Sequence, residues 1–163
     1  MDQCARGRLS RTFSMKKTLL LAAAASLIAA PAFAQSAHMT ANFGEIRLSA
    51  GFTPDPYRVN LHAGGGTSAA HLPGSCNGNI SEAPDFEVTY DAGSLPLVFR
   101  TLSSADTTLV INGPDGRWYC DDDSYGDGDA QVRFNRPQSG TYDIWVGVFG
   151  DTAPATLIIT ETP

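Results

Sequence analysis

The densest chemistry in this sequence lies in nine residues, Asp121-Asp122-Asp123-Ser124-Tyr125-Gly126-Asp127-Gly128-Asp129, which carry five carboxylates. Calcium takes six to eight oxygen ligands at about 2.3–2.6 Å and tolerates irregular geometry, so a carboxylate cluster on a glycine-bearing loop is a natural cation site. Like charges packed this closely repel one another unless a cation or solvent intervenes. Side chains on an extended chain alternate sides, so Asp121 and Asp123 are expected to point together and Asp122 away. Gly126 and Gly128 let the backbone bring Asp127 and Asp129 back towards the same centre. The spacing is not that of an EF-hand. The Gly-Asp-Gly-Asp piece is like one repeat of a calcium-binding solenoid, and one copy makes no solenoid. The competing expectation is a solvated acidic loop that keeps the protein soluble.

Other chemistries find less support. The histidines are His38, His62 and His71. No Ser sits in a G-x-S-x-G elbow, and there is no H-E-x-x-H. A glycosidase needs two carboxylates across a cleft. Glu82, Asp85 and Glu87 are neighbours in sequence, but nothing singles out a pair among them. No catalytic residue is therefore assigned, and a small hydrolase is the weakest of three functional readings. Trp118, Tyr125 and Trp145 are candidate ligand-binding aromatics, able to stack on a sugar or dock a protein. The competing expectation for Trp145 is burial in a second layer beneath a neighbouring strand or loop.

The elements that must position these residues are strands. Short runs of β-branched and aromatic residues recur between clusters of Gly, Pro, Asn and Asp. Phe86-Glu87-Val88-Thr89-Tyr90 alternates, with Glu87 on the face opposite Phe86 and Val88. Thr141 to Val148 places Tyr142, Ile144, Val146 and Val148 on one face. Further runs are expected at Phe43 to Ser49, Tyr57 to His62, Leu97 to Leu102, Thr107 to Asn112, Arg117 to Cys120, Gln131 to Asn135 and Ala155 to Thr160. The expected fold is all-β: an antiparallel β-sandwich, jelly-roll-like, of about eight or nine short strands. Gly64 to Gly74 reads as a flexible loop.

The N-terminal region reads as a leader. Met15-Lys16-Lys17 is a basic start, Thr18 to Ala30 an apolar run too short to span a bilayer, and Ala32-Phe33-Ala34 a small-x-small cleavage signature. Residues 15–34 are thus a signal peptide, and residues 1–14 an upstream piece from a mis-assigned start. Residues 35–163 form a single domain, and the protein is exported to the periplasm or beyond the cell. That domain holds six Arg, no Lys and sixteen Asp plus Glu, hence a net charge of −10. Such a surface repels nucleic acid and anionic lipid, and no membrane insertion is expected after cleavage. The partner would be a protein or a glycan. Cys76 and Cys120 remain in an oxidising compartment, so a disulfide is expected, with a two-Cys metal site as the alternative.

From about Ala83 to Phe149 the chain resembles the bacterial pre-peptidase C-terminal domain family. Five pieces carry the resemblance in order: Pro84 to Val88, Ser103 to Ile111, Asn112-Gly113-Pro114-Asp115-Gly116, Cys120-Asp121-Asp122-Asp123, and Pro137-Gln138-Ser139-Gly140-Thr141-Tyr142. The resemblance implies a non-catalytic β-sandwich accessory or binding module with a calcium site, whose shell Asp85 and Asp106 would complete. Two features depart from it: no peptidase domain precedes the module, and the cysteine pair is not general to the family. The alternative reading is a standalone carbohydrate- or cell-envelope-binding adhesion module.

Overall fold

The computed structural model describes residues 37–162. The expected signal peptide, the expected upstream piece and the expected new N-terminus at Gln35 lie outside the described residues. None of the described helices is long and apolar enough to cross a membrane.

Eleven strands form two packed sheets. They are β1 (Glu45–Ser49), β2 (Tyr57–Ala63), β3 (Thr67–Ser68), β4 (Asn79–Ile80), β5 (Phe86–Asp91), β6 (Leu97–Ser103), β7 (Thr107–Asn112), β8 (Trp118–Asp121), β9 (Gln131–Phe134), β10 (Gly140–Val148) and β11 (Ala153–Thr160). A short 3-10 turn spans Ala69–His71. Sheet I is built around β10, which pairs with β5 and β4 along one edge and with β7 along the other. Beyond them, β1 adds to β5, β3 to β4 and β8 to β7. Sheet II runs β2-β11-β6-β9. The fold is the all-β sandwich expected from the alternation. It has two more strands than the upper expectation because β3 and β4 are only two residues each. All pairings are antiparallel except β1 with β5, which is parallel.

Alternation places the core. Tyr142, Ile144, Val146 and Val148 of β10, Phe86, Val88 and Tyr90 of β5, and Leu109 and Ile111 of β7 meet Leu97, Phe99, Leu157 and Ile159 of sheet II. The aromatic packing is tight: Tyr119 and Phe134 meet edge to face at 4.8 Å.

The opposite face of sheet I carries a second cluster of Trp145, Val110, Ile80, Ala69 and Cys76. The Gly64 to Gly74 segment, expected to be a flexible loop, instead packs down as its roof. Ala69 is fully buried there, its N–H donating to the Gly78 carbonyl at 2.9 Å. The Cys76–Cys120 disulfide, with Cα atoms 5.1 Å apart, ties this roof to β8. The reason is local apolar demand: a tryptophan on the outer face of the central strand must be covered. Close approach fixes one glycine. A Cβ at Gly147 would stand 2.4 Å from Thr108 Oγ1 and 2.9 Å from an Ile80 methyl, so β4 could not lie against β10 there.

On that edge β10 changes partners. Ile144 is opposite Phe86 of β5, and Val148 is opposite Asn79 of β4. Between them the Val146 N–H has no strand partner on the ladder. Asp85 Oδ2 accepts it at 2.8 Å, while Asp85 Oδ1 accepts from Ser81 Oγ at 3.0 Å and Asn42 Nδ2 at 3.4 Å. A side-chain carboxyl thus replaces a missing backbone acceptor. Asp85 is only 1% exposed, and burial pushes its carboxyl up to about 6.

Candidate functional site: a carboxylate row on the outer face of sheet I

The acidic loop is wound into a compact turn. Asp121, at the end of β8, accepts through Oδ2 from the N–H groups of Ser124 at 3.0 Å and Gln131 at 2.8 Å, and through Oδ1 from the Ser124 hydroxyl. Gly126 and Asp129 form an antiparallel bridge, and Asp127 adopts a left-handed backbone with φ of 52°. Asp129 is buried. Its Oδ1 accepts from the Ser103 N–H at 3.0 Å and from Thr107 Oγ1 at 3.3 Å, fastening the loop to the β6–β7 connection. Burial raises the Asp129 carboxyl above its ordinary range, opposed by those hydrogen bonds and aided by the nearby Asp127 charge.

The expected ligands therefore divide. Asp106 packs against Gly128, so Asp106, Asp127 and Asp129 gather at one corner of the loop. Asp122 turns away and accepts from Asn77 Nδ2 at 3.3 Å. The Asp123 carbonyl closes a turn with the Gly126 N–H. Asp85 is not in this group: it lies on the β5 side of β10, whereas Asp106 precedes β7 on the other side. Among the described residues no three His, Cys, Asp or Glu side chains are disposed to hold a metal ion. Within the loop, Asp121 gives its carboxylate oxygens to the turn itself.

Of the three aromatics, Trp145 is fully buried and out of any ligand's reach, because the 64–80 segment covers it. Trp118 is half-buried and tilted against Trp145 with ring centres 5.4 Å apart. Tyr125 is exposed, with the Arg100 guanidinium 4.6 Å over its ring. The histidines are dispersed. His62 is exposed on β2, and His71 Nδ1 lies 2.7 Å from the Ser68 carbonyl.

His38 lines a feature that is not apparent from the sequence. Strand register places Glu45 of β1 opposite Glu87 of β5, Glu87 opposite Asp143 of β10, and Asp143 opposite Asn112 of β7. Partners directly opposite share a face and stand about 5 Å apart at Cβ. Three carboxylates thus run side by side across three strands. They form part of the floor of an open groove of about 680 Å³, walled by residues 37–41 and by the turn at Gly113, Pro114 and Gly116.

Asp143 is the buried member, 6% exposed, and its Oδ1 has no hydrogen-bond partner. Burial pushes its carboxyl up to about 6. The Glu87 charge beside it acts in the same direction, and His38 opposes both. Like charges directly opposite across strands are destabilising, as is a buried carboxylate oxygen without a donor. Arg47 lies on the same face of β1 one pleat along, opposite Thr89. Among the described residues an ion pair joins Arg117 to Asp115 at 3.7 Å, and none within 4 Å joins Arg47 to Glu45 or Glu87. The alternation of β5 already put Glu87 on the outer face. What it could not supply was which residues of β1 and β10 would lie beside it.

No family model matches this sequence, and no curated protein matches it. Among solved structures, the chain is similar to the PliG protein of Aeromonas hydrophila, described as a periplasmic lysozyme inhibitor of g-type lysozyme. The match has 15% identity and a TM-score of 0.40, and it covers 71% of this chain and 96% of that one.

Proposed function

We propose that this protein is an exported, non-catalytic binding module of the pre-peptidase C-terminal kind, and that it works by presenting an acidic face to a partner. The observation that carries this reading is the placement of Glu45, Glu87 and Asp143 in one row on one sheet face. Acid–base hydrolysis needs two carboxyls that flank a scissile bond from opposite sides. A row on a single floor offers all of its oxygens from the same side, which suits holding a cation and not cleaving a bond held between two groups. The raised Asp143 carboxyl fits a desolvated binding floor equally well.

The adhesion alternative, with aromatics as its contact surface, draws less support. Trp145 is buried, Trp118 is partly covered, and the ring of Tyr125 is capped by Arg100. Calcium enters this proposal in a restricted form. A cation drawn to the 121–129 loop meets an Asp121 that already accepts from Ser124 and Gln131 and has fewer lone pairs left to offer. It should therefore bind weakly, with Kd on the order of 0.1–1 mM.

The test pairs two assays on the exported form. Incubation with casein and a panel of fluorogenic peptides should give no turnover, whereas immobilised protein should retain a basic protein of the envelope fraction, and no glycan, in a salt-sensitive manner. Turnover abolished by a single substitution such as His62→Ala or His71→Ala would overturn the reading.

A further inference from the structure

The groove over the carboxylate row has a specific unmet requirement. Its floor holds a carboxylate, Asp143, that is more than nine-tenths buried and lines the groove, and its Oδ1 is sealed from solvent without a donor. A second carboxylate, Glu87, stands directly beside it and a third, Glu45, beyond that. On the other side of Asp143 the side-chain amide of Asn112 adds a neutral acceptor. The walls differ in character. Ala37, Met39 and Pro114 are apolar, while the floor is anionic. An elongated group with an apolar stem and a cationic tip that donates in several directions matches both.

We infer that this groove is a binding site for an arginine side chain displayed by a basic partner protein. This assignment rests on the binding-module reading above and names its ligand. A compact metal ion fits less well, since among the described residues no three acidic or histidine side chains converge closely enough. A lysine ammonium is a point charge with a strong hydration shell, whereas a guanidinium is planar, weakly hydrated and offers five N–H donors in a fixed fork. Side chains about 5 Å apart along the row suit that fork, with one edge towards the Asp143 carboxylate and the other towards Glu87. The charges around Asp143 in the groove are Glu45 from β1, Glu87 from β5 and His38 from the 37–41 segment, with Arg47 one pleat along β1 outside its lining. Arg47 and His38 lower the net attraction for a second cation without filling the unpaired position, because neither hydrogen bonds to Asp143 Oδ1.

The experiment is a titration of the isotope-labelled exported protein with N-acetyl-arginine methylamide in low salt, followed by amide chemical shifts. The citrulline counterpart, neutral and of similar shape, and the lysine counterpart run in parallel. The arginine probe should move amides of Glu87, Gly113, Thr141 and Asp143, the lysine probe should move them less, and the citrulline probe should leave them in place. Asp143→Asn should weaken the response about tenfold or more, as expected for loss of a charge-assisted hydrogen bond. Glu87→Gln is half-buried at the edge of the groove and gives a second variant should Asp143→Asn fail to fold.

Equal responses to arginine and citrulline, unchanged affinity in both variants, or shifts confined to residues 121–129 would each overturn the assignment. A protein that retains an envelope partner yet gives no arginine response loses this site while the binding-module reading stands. Peptide turnover instead removes the reading beneath it.

Discussion

Asp85 offers the most direct test of how this sandwich manages its central strand. Its carboxyl fills the gap where β10 passes from β5 to β4, accepting the Val146 N–H at 2.8 Å. Burial lifts it from 3.8 to about 6. A carboxyl raised on folding holds its proton more tightly in the native state. Between about pH 4 and pH 6 the unfolded chain has therefore lost the proton that the folded chain keeps. Stability from this residue is fully present below the lower value and falls as pH rises through the window. At 1.36 kcal/mol per pH unit the loss is about 3 kcal/mol, complete near neutrality.

Asp85→Asn removes the charge and keeps an oxygen for the Val146 N–H. Its amide group can donate to Ser81 Oγ, and Asn42 can turn its own amide to match. The assay is chemical denaturation of wild type and Asp85→Asn at intervals from pH 4 to pH 7. Acidic self-repulsion also lowers stability with rising pH, so the difference between the two proteins is the quantity to read. That difference should be small near pH 4 and reach about 3 kcal/mol in favour of the variant at pH 7. Asp85→Ala should instead cost about 1–3 kcal/mol at low pH, where the Val146 N–H is left buried and unpaired. Parallel curves for wild type and Asp85→Asn across the window would refute a desolvated carboxylate at this gap.

Two further outcomes follow from the same packing. Replacing both Cys76 and Cys120 by Ser should cost about 2–5 kcal/mol in denaturation of the oxidised protein, since the bridge joins residues 44 apart and pins the roof over Trp145. An unchanged midpoint would mean that the roof stays down without the bridge. Calcium at about ten times Kd should add about 1.4 kcal/mol and raise the melting temperature of chelator-treated protein by a few degrees, magnesium should do less, and Asp121→Asn with Asp123→Asn should abolish the increment. A flat calcium titration would leave the loop as a self-contained acidic turn.

Local alternation determined most of the strands. In β5 and β10 the residues read as inward-facing are those in the core, because a strand exposes its side chains with a period of two wherever it lies. The cysteine pair followed from counting in the exported domain, and the competing expectation for Trp145, a second buried layer, described its actual position. The Gly64 to Gly74 segment could not be read this way. Its composition favours flexibility, and only the presence of Trp145 and Ile80 beneath it supplies a reason to pack. Asp85 was grouped with the loop aspartates through a resemblance, yet its role depends on where β10 exchanges partners. The carboxylate row has the same origin. Glu45, Glu87 and Asp143 are far apart along the chain, each on the outward face of its own strand, and only Glu87 drew notice in the sequence. Period-two patterning decides which face a side chain takes. Which strands become neighbours, and in what register, depends on the packing of the two sheets as a whole, and that register alone brings three carboxylates together with one oxygen left unpaired.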